Sequence, residues 1–152
     1  MIYQVLGYEE GMRETVYRCS EGYPTIGKGT VIGPKNAPLK WYTLRVNEKV
    51  ADALLNEEVS RIRSELVKHR WYTELNEDRQ TIIKSMCYQM GVAGVFKFKK
   101  MIAALERGDY NEASLQALDS RWAKQTVARA ERHAAVLATG NLMQVYEGYI
   151  NG

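Results

Sequence analysis

From Asn47 on, apolar residues recur at three- and four-residue steps; between Gly11 and Asn47 they do not. Val50, Ala51, Leu54, Leu55, Val59, Ile62 and Leu66 trace one stripe behind Asn47, a residue type suited to cap a helix N-terminus. The stripe predicts a helix over 47–69, about 30 Å long at 1.5 Å per residue and able to bridge two lobes. A second helix is predicted over 77–90, with Asn76 as its cap and Gly91 as its stop. Glu77 and Asp78 stand at its positive end, and Ile82, Ile83, Met86 and Met90 face inward. The segments "FKFKKMIAALERG", "DYNEASLQAL", "TVARAERHAAVLATG" and "NLMQVYEGYI" continue the helical pattern.

The region before Asn47 has a different grammar. "IYQVLGYEE" sets Ile2, Leu6 and Glu9/Glu10 a turn apart, which predicts a short helix ended by Gly11. Over 14–32, Val16, Gly22, Tyr23, Thr25, Ile26, Gly27, Gly29 and Val31 are β-branched, aromatic or glycine, and Ser20-Glu21-Gly22 supplies a turn, predicting a small hairpin or sheet. The expected fold class is therefore α+β and mostly α, in one domain over 1–152. Its parts are a β-containing lobe over about 11–46, a connecting helix over 47–69 and an all-helical lobe over 70–152, with the 1–10 helix packed on the last. No linker or internal repeat divides the chain, and "GPKNAPLK" reads as one loop.

Charge and cysteine usage narrow the function classes. Lys and Arg number 21 against 18 Asp and Glu, a net charge of +3, too mild for a dedicated nucleic-acid binder. Within 121–133, Arg121, Lys124, Arg129 and Arg132 face only Glu131, predicting a basic surface that favours anionic polymers. The opening "MIYQVLGYEEGMRE" lacks the regions of a secretory signal, and no stretch approaches the roughly 20 apolar residues of a membrane span. Cytoplasmic accumulation without stable membrane insertion is expected. Cys19 and Cys87 are too few for a disulfide framework and fit a reducing compartment; Cys87, on the Ile83 and Met90 face, reads as a core thiol. His69 and His133 stand outside metal-ligand spacing and read as surface residues, so neither metal nor cofactor is expected. Trp41, Trp71 and Trp122 read as core or lobe-contact residues.

Glu10 lies at a helix end, Cys19 nine positions on and Thr25 six beyond that. A helix end followed by a hairpin can gather these groups over one cleft. The surrounding words are more specific: "EGMRETVYRCSEGYPTIGKG" resembles the catalytic segment of the phage-type lysozymes, the T-even bacteriophage lysozyme and endolysin family (glycoside hydrolase family 24). That signature is a Glu, eight residues, an Asp or in some members a Cys, five residues and a Thr, and here it reads Glu10, Cys19, Thr25. "NEKVADALLNEEV", "CYQMGVAGVFKF" and "SRWAKQTVARAER" extend the resemblance along nearly the whole chain, in order.

The resemblance implies cleavage of the β-1,4 bond between N-acetylmuramic acid and N-acetylglucosamine in peptidoglycan by a monomer. Glu10 would be the general acid, Thr25 would help to hold water or the intermediate, Tyr88, Gln89 and Gly29 would meet substrate, and Arg129 would support Glu10. It further implies residence in the host cytoplasm, then release to the periplasm and wall by a separate holin. Two departures stand out. Thr30 occupies a position where the family often has a His paired to the long helix, removing an ion pair to which Glu58 would be the counterpart. The 31–46 segment is also short, so the flap beside the glycan cleft is trimmed.

Cys19 requires its own chemistry. A carboxylate supplies electron density at neutral pH, whereas a free thiol, with a pKa near 8.5, does so only where its surroundings favour the thiolate. Attack by sulfur on the anomeric carbon gives retention; a water held beside it gives inversion. Three competing readings remain at this stage. They are a tail-associated lysozyme, a cysteine amidase or peptidase pairing Cys19 with His69 or His133, and an inactive wall-binding module.

Overall fold

A computed structural model describes residues 1–151 and confirms the α+β, helix-dominated fold class. The chain divides into two compact units, Leu6–Arg61 and Met1–Val5 with the chain from Ile62 on, so the boundaries fall inside the first helix and inside the long one.

The smaller unit begins in helix α1 (Ile2–Glu10), which ends where Gly11 turns to φ 67°. Strands β1 (Arg13–Arg18), β2 (Pro24–Gly27) and β3 (Thr30–Val31) form an antiparallel sheet in that order. Gly22, at φ 88°, closes the first turn by donating its N–H to the Cys19 carbonyl at 2.9 Å. Gly27 has no space for a side chain, because a Cβ there would lie 3.0 Å from the Ala51 methyl. Ile26, Val46 and Ala51 form the small core of this unit, with Met12, Val16 and Ile32 packed on it.

Beyond β3, the chain is tied to the first turn by Arg18, which donates to the carbonyls of Gly22 at 3.1 Å and Ala37 at 2.9 Å. A 3-10 turn at Leu39–Trp41 follows. Trp41 is not a core residue: its side chain is 67% exposed, since the short turn buries none of its three residues. Helix α2 (Glu48–Leu66) starts as predicted, with the Asn47 side chain accepting from the Val50 N–H at 3.0 Å. It stops three residues earlier than expected, because His69 adopts an extended backbone to start the next helix. Val50, the first residue of the stripe, is exposed.

The larger unit contains α3 (Arg70–Thr73), α4 (Glu77–Met90), α5 (Val92–Phe96), α6 (Lys99–Glu106), α7 (Tyr110–Leu118), α8 (Arg121–Gln125), α9 (Val127–Thr139) and α10 (Leu142–Ile150). Ile62, Leu66, Ile82, Ile83, Met86, Met101 and Leu137 lie in one apolar core. The helix expected through "FKFKKMIAALERG" starts only at Lys99: Phe96 closes α5, and Phe98 leaves the helical region at φ −77°, ψ 62°.

The start of α4 fastens the end of the chain. Asn76 donates to the Gly140 carbonyl at 2.9 Å, and Asp78 accepts the Leu142 N–H at 2.8 Å. Arg79 donates to the Leu137 and Ala138 carbonyls at 2.7 and 3.1 Å, satisfying the otherwise orphaned last turn of α9. Its guanidinium lies 3.5 Å from the centre of the Tyr110 ring. Gly140, at φ 68°, permits this close approach, since a Cβ would sit 2.7 Å from the Arg79 Nη1.

Candidate active site

Glu10 is the last residue of α1 and partly buried, one position before the Gly11 turn that aims the chain into β1. Register then decides which strand residues share its surroundings. Tyr17 pairs directly with Thr25, so their side chains project from one face of the sheet. The ladder continues one step past β1, where the Cys19 N–H donates to the Tyr23 carbonyl at 3.0 Å, and Cys19, two residues after Tyr17, falls on the same face. The opposite face carries Val16 and Ile26 into the small core. Alternation thus sorts apolar residues to one side and Tyr17, Cys19 and Thr25 to the other.

Each of these groups has a defined state. Thr25 is 2% exposed and donates its hydroxyl to the Tyr23 carbonyl at 2.9 Å, which leaves the oxygen lone pairs as acceptors. Cys19 is a partly exposed free thiol, accessible to reagents and not sealed in a core. Burial, then the charges of Glu10 and Cys19, push the Tyr17 phenol above its usual range, against an opposing contribution from Arg13. Arg13 lies over the Tyr17 ring, 4.9 Å from its centre. Tyr17 is therefore within electrostatic range of both Glu10 and Cys19.

The Gly27-Lys28-Gly29 turn, with Gly29 at φ 83°, directs Lys28 onto the start of α2. Lys28 contacts Glu48 at 3.2 Å and Asp52 at 2.6 Å. This pairing anchors the turn to α2 from a different position than the missing Thr30–Glu58 pair would; Glu58 instead contacts Arg61 at 3.2 Å.

The remaining site residues belong to the larger unit. Gln89 accepts from the Trp122 indole N–H at 2.8 Å, and Tyr88 beside it is partly buried. Arg129 donates to the Ser85 hydroxyl at 3.1 Å and to the Ser85 carbonyl at 3.3 Å, with only 8% of its surface exposed. The basic run is consequently not one surface. Arg121 and Lys124 are exposed, Arg129 is buried, and Arg132 lies 5.6 Å from the Tyr149 ring centre.

His133 was expected at the surface and is instead fully buried. Ser85 Oγ lies 2.8 Å from its Nε2 and Tyr146 Oη 2.9 Å from its Nδ1, so both ring nitrogens are engaged. Desolvation, reinforced by Arg129 and Arg132, drives its pKa well below the ordinary value and keeps the ring neutral. Neither nitrogen is left to activate a thiol. Cys87 is a core thiol as expected, with burial pushing its pKa up to about 12. Among the described residues, no three acidic, thiol or imidazole groups converge as a metal site.

Tyr17, Ser85 and Tyr146 escaped sequence reasoning. The available signal for Ser85 was a polar residue between Ile82, Ile83 and Met86 on an inward face; for Tyr17 it was the period of two shared with Cys19.

A helix-dominated α+β fold, in which a helix-end carboxylate leads into a small antiparallel sheet with one polar face, is the framework of a lysozyme-like glycoside hydrolase. Comparison with known proteins gives the particular family: the Phage lysozyme family model matches residues 7–137, and the chain belongs to that family. It is 32% identical to the pre-baseplate central spike protein Gp5 of Enterobacteria phage T4 over 91% of this chain, and spans 28% of that protein's length. It is 28% identical to the probable T4-type lysozyme 2 of Dictyostelium discoideum and 30% identical to the probable T4-type lysozyme 1 of the same organism. These matches cover 92% and 93% of this chain and 95% of each relative.

Proposed function

We propose that this chain hydrolyses the β-1,4 bond between N-acetylmuramic acid and N-acetylglucosamine in peptidoglycan, with Glu10 as general acid and Cys19 as the second reacting group. The observation that carries the reading is the register that sets Cys19 and Thr25 on one polar sheet face, with Tyr17 in electrostatic range of both Glu10 and Cys19. Glu10 protonates the leaving oxygen. Thr25, its hydroxyl proton already committed, accepts from a water. Gly29, Tyr88 and Gln89 contact glycan, and Arg129 supports Glu10. In the larger unit, Lys97, Lys99 and Lys100 line one part of an open pocket that Phe98, Met101, Gln116, Ser120 and the Asp119 carboxylate complete.

As a lysis-stage endolysin, the chain accumulates in the host cytoplasm as a monomer, and a separate holin releases it to the wall. The similarity to a central spike protein supports a second reading, an enzyme carried on the tail and used at infection. The test is digestion of purified peptidoglycan with the protein and its Glu10→Gln and Cys19→Ser variants, with products identified by mass spectrometry. Fragments ending in reducing N-acetylmuramic acid, lost with Glu10→Gln and diminished with Cys19→Ser, are expected. Cleaved peptides on intact glycan, or no products at all, would overturn the reading. The anomeric configuration of the first product separates sulfur attack from water attack.

A further inference from the structure

Two of the three tryptophans, Trp71 and Trp122, are buried, with ring centres 6.1 Å from Phe96 and 6.2 Å from Phe98. Trp41 is 67% exposed, and its exposure is not that of a slack loop. The chain around it is tied at each end. On one side Arg18 donates to the Ala37 carbonyl at 2.9 Å, and the Asn36 N–H donates to the Gly22 carbonyl at 2.9 Å. On the other, Arg45 forms an antiparallel bridge with Thr15, and the Val46 N–H donates to the Glu14 carbonyl at 2.9 Å. Between these ties the Leu39–Trp41 turn is closed by the N–H groups of Trp41 and Tyr42, which donate to the Pro38 and Leu39 carbonyls at 3.1 and 3.0 Å. The next side chain, Tyr42, sets its hydroxyl against Gly33, where any Cβ would strike it.

β1 is an edge strand, and this segment runs antiparallel along its free side, meeting Arg18 first and Glu14 last, with the 3-10 turn packed against the strand. Trp41 therefore stands beside the strand that leads directly into Cys19. We propose that Trp41 is the platform of a sugar-binding subsite at the edge of β1, where a glycan unit beyond the scissile bond stacks its ring on the indole. This rests on the reading of the chain as a glycan hydrolase.

The side chain suits a sugar. A hexosamine ring has a face of C–H groups and a rim of hydroxyls and amides, and an indole answers both with a flat apolar face and one N–H donor at its edge. A ring whose backbone is already fixed loses little freedom on stacking, so most of the contact appears as affinity. Leu44, also exposed, widens the apolar ground. The nearby cations are few: Lys35 and Lys40 are exposed, and Arg45 is paired with Glu14 at 3.0 Å. That falls short of the cluster of about four to eight basic residues that draws a protein to an anionic bilayer, and it favours a largely uncharged sugar backbone.

The test titrates peptidoglycan glycan strands, freed of their stem peptides, into the Glu10→Gln variant, chosen to keep the strand uncut, and follows the indole N–H signals by NMR. Mass spectrometry of the strand afterwards verifies its length. The expected result is a Trp41 indole signal, identified by its loss in Trp41→Ala, that moves as the strand is added. Trp41→Ala on the same background should bind the strand about tenfold more weakly, the scale of a tryptophan at the centre of a contact, and Trp41→Tyr should recover part of the loss. Circular dichroism and an unchanged Tm verify the fold of each variant. A Trp41 signal unmoved by the strand, or equal binding by Trp41→Ala, overturns the proposal. So does a response to vesicles of anionic phospholipid in place of the strand. In turnover of whole peptidoglycan by the otherwise intact protein, Trp41→Ala raises KM and leaves kcat and its pH profile in place. If the intact protein leaves glycan uncut while the Trp41 signal still responds, the hydrolase reading fails and the sugar site stands. If glycan is cut and Trp41 stays silent, the subsite alone fails.

Discussion

Acidification should weaken this fold through a single imidazole. His133 is fully buried and neutral, with Ser85 and Tyr146 on its two nitrogens and the Arg129 and Arg132 charges nearby. In the unfolded chain the ring binds a proton near the ordinary histidine value of 6.5, while the folded ring, held well below that value, does not. Below pH 6.5 the unfolded state therefore holds one proton more, and stability falls as pH falls. Integrating that difference from neutral pH to pH 5 gives a loss of ~2 kcal/mol, or about 4–8 °C in Tm for a chain of this size. His133→Gln keeps an amide near the two hydroxyls and cannot titrate. It should be destabilised at neutral pH by about 1–3 kcal/mol for the disturbed hydrogen bonds. Urea unfolding of both proteins at several pH values cancels the carboxylate contributions they share. The gap between the two curves should narrow by ~2 kcal/mol from pH 7 to pH 5. Parallel curves would show that His133 is not neutral and sealed in the native state.

Two further perturbations address how each unit is held. Arg79→Met removes both donors to the end of α9 and the contact with Tyr110, and should cost about 3–5 kcal/mol in denaturant unfolding; a loss under 1 kcal/mol would assign the capping to other groups. Gly33→Ala would drive a methyl into the Tyr42 hydroxyl and to 2.9 Å from its Cζ and 3.0 Å from the Pro24 Cγ, costing about 1–3 kcal/mol. Tyr42→Ala should recover much of that loss in a double-mutant cycle, and strictly additive effects would contradict the contact.

The elements most legible from sequence were those with two agreeing signals. For α4, the stripe of Ile82, Ile83 and Met86 coincided with Asn76 and Gly91, and both ends fell as read. For α2, the Asn47 cap was clear, but nothing at its far end competed with the period, so the extended backbone of His69 was invisible. The break at Phe98 separates two helical patterns that join smoothly in one dimension. Within the site, Glu10, Cys19 and Thr25 stood out because their spacing and surrounding words formed a pattern. Tyr17 and Ser85 acquire meaning only from register and from partners 8 to 48 positions away, Thr25 and His133 respectively. His133 was misread because a lone histidine carries no sign of the hydroxyls that surround it.

The fastening of α4 to the last two helices also has a meaning in time. Asn76, Asp78 and Arg79 are made early, and their partners at 137 to 142 come about 60 residues later. During synthesis the start of α4 must therefore wait with a buried-to-be cation and an acceptor unmatched, while α5 to α9 emerge. The apolar core of the larger unit also takes in Leu142 and Tyr146, so it is complete only once the turn at Gly140 and the helix after it have left the ribosome. Until then the nascent chain is the form in need of protection, and a stall just short of that turn would leave the hydrolase unfinished with every one of its candidate site residues already translated.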